Sequence, residues 1–382
     1  MKPRNGRFAL ACAAVIALTN LPVGRSASAQ TWVGGGASDN WSDPANWDTG
    51  QVPQPGPTRS LIFQPRCGTH AISHQDLADP YTVGSLAFRA GAGFIIDGKP
   101  ILLGGQTPLL QDDSTPGGLR VVRSPLRIEG VVRVRARSEP LGAKLVLVDV
   151  SGPGFIQLVT GDLAIGHAIY TGKTNVTGGV LQMGWWADTN GVRAFFPGLA
   201  ENQADYVIHP LPFSSAGLTG TGTIGMGAGR RIFLEGGGYL APGYGSIGPA
   251  GATLTVNGGV RFGDATRYVV RSGGPGATSL LDVNGLLDLS GQGDVLDLTA
   301  TFRQSGTVVV AEYDNRIGEF DVFRAAFFDG AGGERATIRY TSEVGEGRGQ
   351  VLVTVTVPEP GVAVVTGGGA VAFALLRRRS RG

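Results

Sequence analysis

Cysteine is nearly missing from this chain: its 382 residues include two, Cys12 and Cys67. Cys12 lies in the leading segment described below, so the rest of the chain holds one thiol and no internal disulfide can staple it. Histidine is as thin, with four residues, which leaves imidazole catalysis and metal binding few candidates. Lysine is sparse, and no stretch between the two ends reads as an amphipathic helix. The sequence has no G-x-S-x-G, H-E-x-x-H or P-loop, so the commonest signatures of hydrolase and nucleotide chemistry are absent. Glycine is what abounds: 63 residues, about 16 per cent of the chain against a usual share of about 7 per cent. Many short strands between glycine turns point to an all-β protein.

The net charge of +2, from 32 basic and 30 acidic residues, is set by the ends. Lys2, Arg4 and Arg7 precede an apolar stretch at 8–18, and Ala27, Ser28 and Ala29 stand before Gln30. That order reads as a secretory signal peptide over 1–29, cleaved between Ala29 and Gln30. Only four apolar residues precede Cys12, too few for a lipoprotein signal. At the other end come Pro358, Glu359 and Pro360, an apolar segment at 361–376, and the basic cluster Arg377, Arg378, Arg379 and Arg381. Removing 1–29 and 357–382 takes away eight basic residues and one acidic, which leaves 24 and 29, a net of −5 over 30–356. The alkaline pI therefore gives nucleic-acid binding no support.

As a helix the apolar segment would span about 24 Å, slightly short of the roughly 20 residues a membrane span needs. The arginines can snorkel, and by the positive-inside rule they mark the cytoplasmic side. The tail 357–382 resembles the PEP-CTERM sorting signal: a Pro-Glu-Pro motif, a single transmembrane helix and an Arg-rich end. The resemblance implies an exported protein, held at the inner membrane until an exosortase-type protease removes the tail and sorts it to the envelope, cell surface or extracellular matrix. It also implies a link to exopolysaccharide. An ordinary C-terminal membrane anchor is the alternative.

Between the ends, Trp32, Trp41 and Trp47 fall in a turn-rich opening at 30–60, read as an N-terminal cap; tryptophan beside Asn and Asp could instead line a sugar-binding surface. Cys67, His70 and His74 have half of a zinc-binding spacing without a partner cluster, so a polar loop is expected and no metal or cofactor. From 119 to 137 the pattern alternates: Leu126 and Ile128 against Arg127 and Glu129, then Val132 and Val134 against Arg133, Arg135 and Arg137. Arg120, Arg123, Arg127, Arg133, Arg135 and Arg137 are then expected on one wet surface. Arg127, Arg133 and Arg135 are the candidate contacts to acidic polysaccharide, since a guanidinium grips a carboxylate bidentately.

Residues 174–177 read as a strand, Gly178-Gly179 as a turn and 180–183 as the next strand. With Tyr170, Thr171, Gly172, Val176, Gly179 and Leu181 in place, this unit resembles the autotransporter-associated β-strand repeat of β-helical surface proteins. A looser resemblance to the same passenger-like proteins covers 218–298, through Gly238-Tyr239-Leu240-Ala241-Pro242-Gly243. Gly220 to Gly225 fits G-x-G-x-x-G, but no helix can follow it, which excludes a dinucleotide site. Ser290-Gly291-Gln292-Gly293-Asp294 approaches a calcium-binding nonapeptide but occurs once. Residues 301–356 read as a C-terminal β cap closed by aromatics.

The expected architecture is an elongated β-solenoid, a right-handed parallel β-helix with rungs of roughly 20–25 residues, plus the C-terminal transmembrane helix. An array of β-sandwiches is the alternative. The expected role is non-enzymatic: a structural or adhesive surface or matrix protein. A β-helical polysaccharide lyase or glycoside hydrolase is the competing class. Its carboxylates would come from Asp282, Asp288, Asp294 and Asp297, which sit as outward residues between apolar ones. Replacing Pro358, Glu359 and Pro360 by alanine is expected to leave export intact and block tail removal. Immunoblots of membrane and surface fractions check this, and identical size and location for both proteins would refute it.

Overall fold

Alternating apolar and polar residues make strands with one buried side, and here those strands pair mainly with the next turn of the chain in parallel. The computed structural model describes residues 29–357 apart from 66–70, 90–92, 115–117, 138–144, 190–191, 197, 203–204, 213, 244–250, 274–275, 302–304, 328–333 and 342–347. Ala27, Cys67, His70, the Pro358-Glu359-Pro360 motif, the segment 361–376 and Arg377, Arg378, Arg379 and Arg381 lie outside the described residues. Among those described, no helix is long and apolar enough to cross a membrane.

Thirty strands join in one sheet, and most of its pairings are parallel, which gives a β-solenoid-like stack and not an antiparallel sandwich array. The chain runs through three ladders in turn. In the first, Gln30, Leu61, Leu86, Leu110, Val134, Leu158, Val176, Ile208, Leu234 and Phe262 lie in successive register. In the second the sequence is Phe94, Arg120, Leu145, Leu163, Leu181, Leu218, Leu240, Tyr268, Leu296 and Phe323. In the third it is Tyr81, Ile101, Leu126, Val150, Ala168, Ala200, Ile224, Val256, Val283 and Tyr313. All of these except Phe323 are buried, and the apolar ones form one continuous core. Each apolar side chain removed from water contributes about 1.5–3 kcal/mol, so the stack is held by its inner rows.

Corners between ladders demand backbone that only glycine adopts easily. Gly179 has φ +86°, and a Cβ there would stand 1.8 Å from the Gly161 carbonyl oxygen one turn below. Gly161 itself has φ +78°, with the Ala136 carbonyl oxygen 2.0 Å from the same imagined atom. The strands Thr174–Val176 and Gly179–Met183 flank this corner, close to the expected bounds.

At the start of the stack Trp32, Trp41 and Trp47 are buried, so they line no sugar-binding surface. Trp32 and Trp41 both meet Trp47 edge-on, at 5.3 and 5.9 Å, and Trp41 packs on Phe63 and Tyr81. At the far end the pairing turns antiparallel: Gly306–Gly318 pairs with Gly349–Thr356, which pairs with Arg335–Tyr340. Phe320 packs there against Phe262 and Tyr268.

Two sequence expectations are corrected. Arg120 does not face water: it takes a ladder position between Phe94 and Leu145 and is fully buried. The second ladder is also covered on its outer side over a few rungs. There Ile95, Val121, Val146 and Ala164 follow one another in register, and Val121, Val146 and Ala164 form a separate buried cluster. Parallel sheets commonly bury both faces, which removes the simple alternation.

Val176→Asp or Leu181→Asp is expected to cost at least about 4 kcal/mol, since either puts an unpaired carboxylate in the core. Gly179→Ala is expected to cost at least about 2 kcal/mol from the corner clash and positive φ together. Urea unfolding of the full chain in mild detergent checks these, and midpoints equal to the parent's would refute the register.

Candidate contact surface

On the first ladder the strands Leu109–Asp112, Val131–Arg135, Phe155–Thr160 and Thr174–Val176 lie side by side. Leu110, Val132, Val134, Ile156, Leu158 and Val176 point inward, so the residues between them form an outer grid. Val131 stands opposite Phe155; Arg133 lies between Leu109 and Gln157, with Asn175 next in line; Arg135 follows Gln111. Neighbouring strands are about 4.8 Å apart and same-side residues about 6.6 Å apart along a strand. Arg133 and Arg135 are exposed, and neither pairs with a carboxylate among the described residues. Val131 and Phe155 are each 37% exposed.

The expected single arginine surface divides. Arg127 lies on the third ladder, around the corner at Gly130, and its guanidinium is 3.4 Å from Glu129. Arg123 is 3.7 Å from Asp97, and Arg137 donates to the Ser114 carbonyl at 2.7 Å. Arg120 is withdrawn altogether: its Nε lies 3.7 Å from Asp112 Oδ1, with both side chains fully covered. Asp112 also accepts the Ser114 backbone N–H at 3.1 Å and its hydroxyl. A buried cation persists only beside a partner, because losing one leaves the other charge stranded. Reasoning from the sequence missed Phe155, Gln157 and Asn175. The signal was there, since Ile156 and Leu158 are the inward pair of that strand.

The carboxylates named as catalytic candidates are mostly committed elsewhere. Asp282 accepts from Arg348 and from the Thr255 hydroxyl at 3.1 Å. Asp288 accepts the Ser290 hydroxyl at 2.6 Å and lies 3.7 and 3.8 Å from Arg231 and Arg261. Asp297 accepts Arg267 Nε at 2.7 Å. Asp294 is not outward but fully buried, its Oδ1 accepting the Asp321 N–H at 2.9 Å and its Oδ2 without a hydrogen-bond partner among the described residues. Burial, with the Asp321 charge adding to it, pushes its carboxyl up to about 6. The loop 290–294 spends its polar groups between turns: the Gln292 N–H meets Asp264 at 2.8 Å, and the Gly293 N–H meets Asp321. His167 is 3.1 Å from Asp149 on the third ladder, and His74 lies in the strand Ile72–Gln75. Among the described residues no group of three His, Cys, Asp or Glu side chains is placed to hold a metal ion.

Ala29 is exposed and Gln30 opens the first strand, its amide held by Thr49 and the Gln51 carbonyl at 3.0 Å each. No family model, curated protein or solved structure matches the chain.

Asp294 holds its proton more tightly folded than unfolded, so its contribution to stability is largest below pH 4 and is lost as pH rises through about 6. Asp294→Asn is therefore expected to be more stable than the parent at pH 7.5, by on the order of 1 kcal/mol after solvent screening, and to lose that advantage near pH 4. Urea midpoints at the two pH values check this; the same difference at both would refute it.

Proposed function

We propose that this chain is an exported, non-enzymatic component of the cell surface or extracellular matrix that adheres to acidic exopolysaccharide. In this reading a signal peptide ends at Ala29, leaving Gln30 and the first strand intact. The tail with Pro358, Glu359 and Pro360 is the substrate of an exosortase-type protease. The stack is an elongated right-handed β-helix, the hand that parallel crossover connections take in about 98% of cases.

One observation carries the adhesive role: Arg133 and Arg135 project from a rigid strand face with no carboxylate partner among the described residues, beside the amide of Gln157. A guanidinium in that setting is available to a carboxylate from outside, and the amide can hydrogen-bond hydroxyls. Further along the same ladder Arg231 and Arg261 share one carboxylate, Asp288, whereas Arg133 and Arg135 have none beside them among the described residues. The commitment of Asp282, Asp288 and Asp297 to arginines supports a structural reading over a glycosidase-like pair.

The test is binding of the full chain to exopolysaccharide from the same cells at low and high salt. Arg133→Gln with Arg135→Gln is expected to weaken binding about tenfold or more at low salt and to flatten its salt dependence. Arg127→Gln is expected to change it less than about twofold, because Arg127 is already paired on another face. Equal binding by the double variant would overturn the assignment, and release of shortened sugar chains would replace it with a lyase or hydrolase.

A further inference from the structure

Resting on that reading, we infer that the site recognises the ring of a uronic acid and not negative charge alone, with Phe155 and Val131 as its specificity-determining residues. A uronic acid pyranose offers a carboxylate on one carbon and an apolar face of C–H bonds. A site that reads both needs a guanidinium and an exposed apolar side chain one sugar width apart.

The first ladder supplies that pair. Val131 and Phe155 are register partners on adjacent strands, and Arg133 and Gln157 are the partners two residues on, on the same outer side. Each apolar residue therefore stands about 6.6 Å from its polar neighbour along the strand, the scale of a single pyranose ring. Phe155 and Val131 are each 37% exposed. Carried back one residue, the register of Ile156 with Thr174 sets the exposed Lys173 beside Phe155 on the next turn, a second cation next to the ring. Gly172 lets the chain pass close over the preceding turn: a Cβ there would meet the Gly154 carbonyl oxygen at 2.3 Å and the Phe155 Cβ at 2.7 Å. An aromatic face stacked on sugar C–H bonds contributes through burial and does not screen with salt, whereas the Arg133 and Arg135 contacts do.

The experiment measures binding of the full chain in mild detergent to polymers of glucuronic, galacturonic and mannuronic acid, and to inorganic polyphosphate as a polyanion without sugar rings. The expected result is binding to at least one polyuronate and at least tenfold weaker binding to polyphosphate. Phe155→Ser is expected to weaken polyuronate binding about three- to tenfold with an unchanged salt slope. Phe155→Trp should restore it, and unchanged urea midpoints should show that both variants fold. Equal binding of polyphosphate, or no effect of Phe155→Ser in a folded protein, would overturn this inference while leaving the charge-based adhesion intact. Failure to bind any polyuronate or the native exopolysaccharide would overturn both.

Discussion

The constraint on which the structure depends is register between successive turns of the chain. In a parallel ladder each residue sits directly over its counterpart, so one inward row fixes every other. A slip of one residue would turn the row from Leu61 to Phe262 toward water and bring Arg133 and Arg135 into the core. Glycine corners set the count between turns, since Gly161 and Gly179 allow the chain to pass directly over itself. The buried Arg120 shows how strict the rule is. It occupies a position that leucine takes over the next five turns, and it is held beside Asp112 from the neighbouring ladder. Removing either partner would leave a charge the core cannot solvate.

A stack held by register has open ends, and the two are closed by different means. At the start, bulky rings fill the interior, and Asn46 ties the loops together through hydrogen bonds to Gly36, Ser38 and Asn40 at 2.7–2.9 Å. At the far end the strand direction reverses, and Arg348 fastens the reversed strand to the last turns. Its guanidinium reaches Asp282, Asp314 and the Val283 carbonyl, so one side chain bridges both layers. Reversal matters because a parallel edge left bare invites another chain to pair with it.

Local pattern was legible in the sequence, and long-range pairing was not. The alternation from Leu126 to Arg135 announced which residues are inward, because each strand carries its own period-two signal. Arg120 escaped that logic: its neighbours Val121 and Val122 are both apolar, and only register with Phe94 and Leu145 reveals which side is in. Asp294 was misjudged for a similar reason, since a corner residue has no alternation to read and its burial comes from the turn that follows. The separation of Arg127 from Arg133 and Arg135 depends on Gly130, a corner that spacing alone did not locate. The proposal that 358–382 is a sorting signal rests on residue order alone, because those residues lie outside the described ones.

A solenoid separates folding from recognition more cleanly than a globular domain does. Its inner rows do nearly all the stabilising, so its outer rows can vary at small cost, as exposed substitutions generally do. That freedom gives meaning to where charge is left unbalanced. On the later turns of the first ladder Arg231 and Arg261 are drawn to Asp288, and on the second Arg267 is drawn to Asp297. The same chain therefore places carboxylates beside arginines on several turns. At Arg133 and Arg135 it sets the side chain of Gln157 and the partly exposed ring of Phe155 alongside instead. Neither neutralises a cation, and neither strengthens the core. Together with the arginines they are complementary to a hydroxyl-rich ring bearing an acid, which is why the proposed recognition surface lies on those turns and not on the better-paired ones beyond.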